Sequence, residues 1–159
     1  MVQLTTAMGY DFILFRLRRP LTPCPARIPP DFGADSVLPI DDPTPMHDAV
    51  RASPLFDAGS VDFDGARFLW RTPDGGTLDV RTIAQGVNID THAHWDRVAE
   101  LFDVVLAVWP ETALFDLQKA LVHDPASFRA FVERSYREAA ERAAIKAAQG
   151  DPEEPGEGG

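Results

Sequence analysis

Between residues 67 and 109 the apolar period of the chain changes once, and that change limits the fold more than any other feature. Arg67–Arg71 and Thr77–Ile83 have strand composition and flank Pro73-Asp74-Gly75-Gly76. There the proline sets the first turn angle and the glycines admit positive φ, the pattern of a β-hairpin. Gly86 allows a bend, so 87–91 either continues the second arm or forms a further strand. From Ala93 onward Trp95, Val98, Phe102, Val105 and Trp109 recur at the spacing of one helix face, joined by Leu101 and Leu106. Asp96, Arg97, Glu100 and Asp103 lie opposite, and Pro110 ends the run. Strands that run straight into an amphipathic helix predict a sheet with helices packed against it.

The flanking segments agree. YDFILFRL at 10–17 is apolar on both faces, Phe12, Leu14 and Arg16 on one and Ile13, Phe15 and Leu17 on the other, as suits a central strand covered on both sides. Nine prolines from Pro20 to Pro54 each remove a backbone donor, so 20–60 is expected to be mostly irregular. One short helix is expected there, with Thr44 as its cap and Pro45 in its first turn. Residues 112–123 read equally as helix or as strand, turn and strand. Asp124-Pro125 opens a long helix to about 149, with Phe128, Phe131, Val132 and Tyr136 inward and alanine-rich, charged last turns that project from the body. Residues 150–159, acidic and rich in proline and glycine, are expected to be a disordered tail. The reading is one domain over 1–149 of class α+β. Its mixed or antiparallel sheet of about four to five strands is covered by helices.

Composition bounds the function. The net charge of −10 argues against nucleic acid, whose binding is driven by cations that displace counterions. No apolar run approaches the roughly 20 residues that span a bilayer, and no signal-peptide pattern opens the chain, so the expectation is a cytoplasmic protein without a membrane partner. Cys24 is the single cysteine, which excludes an intrachain disulfide. The acidity is concentrated: eight aspartates (Asp31, Asp35, Asp41, Asp42, Asp48, Asp57, Asp62 and Asp64) stand against Arg51 alone in 31–64, a local net of −7. Such a segment is either a solvated surface or an attractor for a basic partner, with Asp31, Asp35, Asp41, Asp42 and Asp48 as the contacts. Asp62 and Asp64, close to Gly59, Ser60 and Gly65, read as loop residues rather than a catalytic carboxylate pair. Arg16, Arg18 and Arg19 read as charges that guard a strand exit. Glycine-rich nucleotide loops and the G-x-S-x-G elbow are absent from the sequence.

Residues 87–97, VNIDTHAHWDR, carry the one metal-like motif. Strand alternation puts Asn88, Asp90 and His92 on one side, with His94 joining them if the extended backbone continues. Alternatively the segment hands a strand to a helix capped by Thr91 or Asp90, with Asp96 in the first turn. THAHWD resembles the opening of the metallo-β-lactamase-type zinc hydrolase motif, T-H-x-H-x-D-H. That resemblance implies His92 and His94 as ligands of a first zinc and Asp96 of a second, and Arg97 stands where the motif has its last histidine.

A second resemblance rests on two short motifs, at residues 8–12 and 115–118. Met8-Gly9-Tyr10-Asp11-Phe12 resembles the M-x-Y-D-[LF] opening of many small bacterial α+β proteins, some of them immunity or accessory proteins of toxin loci. In those proteins a helix leads into a strand ending F-D-x-Q and then a short second strand, a place taken here by Phe115-Asp116-Leu117-Gln118. This implies the hairpin for 112–123. The expected function is a cofactor-free, non-enzymatic protein-binding module of bacterial immunity type that meets a basic partner with its acidic segment. The alternatives are a small metal-dependent hydrolase using His92, His94 and Asp96, and a structural homodimer formed through the last helix.

Overall fold

The computed structural model describes residues 9–150. Met8 and residues 151–159, hence the first residue of the M-x-Y-D motif and nearly all of the expected tail, lie outside the described residues. Among the described residues nine strands form one sheet in which all pairings are antiparallel. They are β1 (Tyr10–Leu17), β2 (Ala26–Arg27), β3 (Val37–Leu38), β4 (Ser60–Asp64), β5 (Arg67–Arg71), β6 (Thr77–Ile83), β7 (Gly86–Thr91), β8 (Thr112–Asp116) and β9 (Leu121–His123). Their order is β2-β9-β8-β1-β7-β6-β5-β4, with β3 beside the last two residues of β1. Among the described residues four α-helices accompany them, α1 (Thr44–Ala52), α2 (Pro54–Ala58), α3 (Trp95–Val108) and α4 (Pro125–Ala148), with a single 3-10 turn at Ala34–Ser36. The class is α+β, with more strands than expected.

Two apolar layers sandwich β1. On one face Phe12 and Leu14 meet Phe68, Trp70, Leu78, Val80, Val87, Ile89 and Leu114 from neighbouring strands, under Met46, Val50, Val98, Leu101, Phe102, Val105, Phe128 and Phe131 from the helices. On the other face Leu17, Val37, Ala113, Phe115 and Val122 form a smaller cluster, closed by Phe15, Leu21, Ile28 and Phe32 of the proline-rich segment. Both faces of the central strand are therefore apolar because both are covered. Beyond this second cluster, the outward face of β4 to β7 is charged. Arg67 grips Asp79 with two bonds of 2.8 and 2.9 Å, and Arg71 pairs with Asp62.

The proline-rich segment is more ordered than expected. Prolines remove donors inside elements but fit their first turns. Ser53 accepts the Leu55 N–H and starts α2 on Pro54. In α1 the helix begins one residue earlier than expected: Thr44 is inside it, and Asp42 Oδ1 accepts the Thr44 N–H at 3.0 Å. Asp62 and Asp64 belong to β4, not to a loop, because alternating Val61 and Phe63 bury against Trp70 and Phe68 while the carboxylates face out.

Residues 112–123 form the hairpin. Leu114 pairs with His123 and Phe115 with Val122, and the turn that lacks glycine and proline is closed by Ala120 at φ 56. The two halves of the second resemblance meet here. The Tyr10 hydroxyl donates to the Asp116 carboxylate, 2.8 and 2.9 Å from its two oxygens, although 106 positions separate them. Asp116 is fully buried and also accepts the Lys119 N–H at 3.1 Å. Burial, then the bond and the charge of Asp116, push the Tyr10 phenol well above its usual range.

Asp124 caps α4 by accepting the Ser127 N–H at 2.8 Å, as the sequence predicts. Only the first half of α4 is packed. From 140 to 148 every residue is exposed, so about 13 Å of helix extends past the core. No helix among the described residues is long and apolar enough to cross a membrane.

Candidate functional site

The junction of β7 and α3 is built around Thr91, His94 and Tyr136. Thr91 Oγ1 accepts the Ala93 N–H at 3.1 Å and turns the chain out of the strand. The helix then begins at Trp95, later than the sequence suggests, and its cap is His94 rather than Thr91 or Asp90. His94 Nδ1 accepts the Asp96 N–H at 3.2 Å and lies 3.2 Å from an Asp96 carboxylate oxygen. One nitrogen thus has two partners. A neutral ring accepts the helix N–H there and carries its proton on Nε2, whereas a doubly protonated ring donates from Nδ1 to the carboxylate. The ring lies flat on Tyr136 of α4, centroids 4.0 Å apart and planes 7° from parallel, and the Tyr136 hydroxyl accepts the Trp95 N–H at 3.1 Å. Tyr136 therefore fixes both the cap and the first turn of α3.

Against this junction sits the β5–β6 turn. Thr72 Oγ1 donates to Asp74 at 2.5 Å and accepts the Gly76 N–H at 3.0 Å. A Cβ at position 76 would fall 2.6 Å from Ala93, so only glycine lets the turn come this close. The Thr72 hydroxyl, then Arg97, hold the Asp74 carboxyl below its usual range. Arg97, 3.5 Å from Asp74, also bonds Glu100 at 3.0 Å, and Arg129 of α4 pairs with Asp103. The result is a polar cleft of about 680 Å³ whose lining includes His92, His94, Asp96, Arg97, Asp74 and Arg129.

The structure places His92, His94 and Asp96 on one cleft but gives them different partners. His92 Nε2 is 3.8 Å from Asp90 on the outward face of the sheet, and His94 is held between Tyr136 and Asp96. Among the described residues no three histidine, cysteine or acidic side chains stand together in a group that could hold a metal ion. Asp90 is instead flanked by Asp79 and Asp11 on the adjacent strands. Burial, then the charge of Asp90, raise the Asp11 carboxyl above its usual range. Asp74 and Arg129 of the cleft, and Tyr136 stacked on His94, were not suggested as site residues by the sequence. Asp74 lies in the β5–β6 turn and the other two on α4, so no local spacing signals their meeting with His94.

The eight aspartates of 31–64 are all exposed. Asp48 pairs loosely with Arg51 at 3.5 Å, Asp62 pairs with Arg71, and Asp42 is engaged at the start of α1. Asp31, Asp35, Asp41 and Asp57 have no ion pair among the described residues. Asp31 and Asp35 flank Phe32, which is pinned into the smaller cluster, and the chain then reaches Ile40, whose N–H donates to Ala84 O beside the β6–β7 turn at 2.9 Å. This brings Asp31, Asp35, Asp41 and Asp42 towards the end of the sheet where β1 and β6 finish. Asp57 and Asp62 lie away from it, in α2 and at the first residues of β4.

Compared with protein-family models, with curated proteins and with solved structures, the chain matches none.

Proposed function

We propose that this protein is a cytoplasmic, non-enzymatic protein-binding module of the bacterial immunity type, which recruits a basic partner protein through Asp31, Asp35, Asp41, Asp42 and Asp48. The observation that carries the reading is the exposure of all five side chains, four of them without an ion pair among the described residues. Charges already neutralised by neighbours steer a partner weakly, whereas unpaired surface carboxylates set the field it meets. The partner in view is the product of an adjacent gene with a basic surface. Its affinity is measured by titration calorimetry from about 0.05 to about 0.5 M salt, where screening shortens from roughly 14 to roughly 4 Å. The expected result is a steep loss of affinity with salt, flattened when Asp35, Asp41, Asp42 and Asp48 become asparagine. Equal affinity and equal salt slope for the quadruple variant refute the reading.

The shared cleft of His92, His94 and Asp96 favours a second reading, a zinc-dependent hydrolase. To bind, both imidazoles and the carboxylate have to give up the partners described above. Elemental analysis of untagged protein is the test: a bound metal adds stability by mass action, so less than about 0.1 equivalent and no thermal shift on adding zinc removes it.

A further inference from the structure

The same end of the sheet carries an apolar groove of about 270 Å³ lined by Phe15, Phe32, Gly33, Val37 and Ile83. This is smaller than the roughly 300 to 1,000 Å³ usual for small-molecule pockets and suits a single large side chain. Ile83 stands at its wall 47% exposed, at the end of β6 on the outward face that it shares with Asp79 and Arg81. Gly33 has no atom within 4 Å of where a Cβ would be, so the lining segment is unobstructed there. Asp31 and Asp35 bracket that segment, exposed and without an ion pair among the described residues.

We infer that this groove is the anchor slot of the proposed interface, taking a bulky apolar side chain that a basic partner presents between lysines or arginines. The inference rests on the binding-module reading and deepens it. An apolar pocket rimmed by charge matches the usual division of an interface, in which a buried anchor supplies affinity and rim charges supply approach and register. Charge complementarity selects the occupant: two carboxylates beside an apolar slot favour an apolar residue with cations on either side over an acidic or neutral segment.

Two dye-labelled synthetic peptides test it by fluorescence anisotropy, one with a phenylalanine between two lysines on each side and one with serine in its place. At about 0.15 M salt the phenylalanine peptide is expected to bind about tenfold more tightly. Ile83→Glu and Gly33→Trp should abolish that preference. Asp31→Asn with Asp35→Asn should instead weaken both peptides alike. If the wild-type protein binds both peptides equally, or if Ile83→Glu leaves the preference intact, the slot is refuted while the electrostatic reading stands. If neither peptide binds even at low salt, both fail. If the wild-type protein sediments as a dimer that Ile83→Glu dissolves, the groove serves a second copy of the chain and the inference is overturned.

Discussion

Removing one hydroxyl tests the link between β1 and β8. In Tyr10→Phe the buried Asp116 carboxylate loses the donor that reaches both of its oxygens and keeps, among the described residues, the Lys119 N–H. A hydrogen bond to a charged group contributes about 1.5–3 kcal/mol, and an orphaned buried acceptor adds its desolvation, so a loss of about 2 kcal/mol is expected. For a domain of this length each kcal/mol is about 2–4 °C of melting temperature, which makes the shift roughly 4–8 °C by calorimetry at neutral pH. A second variant separates the polar contact from packing. Adding Asp116→Leu to Tyr10→Phe removes both partners, and stability should recover in part, because no buried charge is then left unpaired. Urea titrations of the two single variants and the double supply the coupling energy, expected at about 1–2 kcal/mol. A Tyr10→Phe shift under about 1 °C, or strictly additive effects, refutes the account.

Further outcomes follow from particular residues. Burial holds the His47 and His123 imidazoles below their ordinary range, so the unfolded chain takes up protons that the folded one resists, and stability should fall as pH drops below about 6.5. Melting curves between about pH 7.5 and pH 5 check this, and a melting temperature flat across that window contradicts it. Ala120→Gly relieves a left-handed alanine at φ 56 worth about 1 kcal/mol but loosens the unfolded chain by about half that, so a gain of about 0.5 kcal/mol is expected by urea titration. Gly76→Ala should lower the melting temperature by several degrees through its collision with Ala93, whereas Gly33→Ala, with open space around it, should leave it unchanged. Ending the chain after Ala140 should keep the melting temperature within about 1 °C, since every residue removed from α4 is exposed and buries no apolar surface in the core. A larger loss would favour the homodimer through α4.

Much of the framework was legible because it depends on local chemistry. The Pro73 to Gly76 hairpin, the α3 stripe, the Asp124 cap and the doubly apolar β1 each carry their signal within one short contiguous stretch of sequence. The two-residue strands β2 and β3 are too short to carry a period, and β4 was hidden by its acidic outward positions and by flanking glycines. The helix start beyond His92 was missed for a different reason. Thr91 resembles a cap but spends its hydroxyl on Ala93, leaving a histidine nitrogen, a much less common acceptor, to receive the helix N–H. In the cleft, the sequence brought forward His92, His94 and Asp96 but had no means to show that Tyr136, some forty positions on, would lie flat on one of them.

The position of β1 also has a consequence for the order of folding. The strands from β4 to β7 pair only with sequence neighbours among themselves, so that meander closes short loops and is the natural place for structure to begin. β1 is the first of the described strands, yet apart from two residues beside β3 it finds its partners in β7 and in β8, near residues 90 and 114. During synthesis its two apolar faces therefore wait until Asp116 has been made before both sides are paired, and through that interval YDFILFRL is the segment most exposed to misassociation. A chaperone that delays the N-terminal strand, rather than one that aids the helices, is the kind that would raise the yield of this protein.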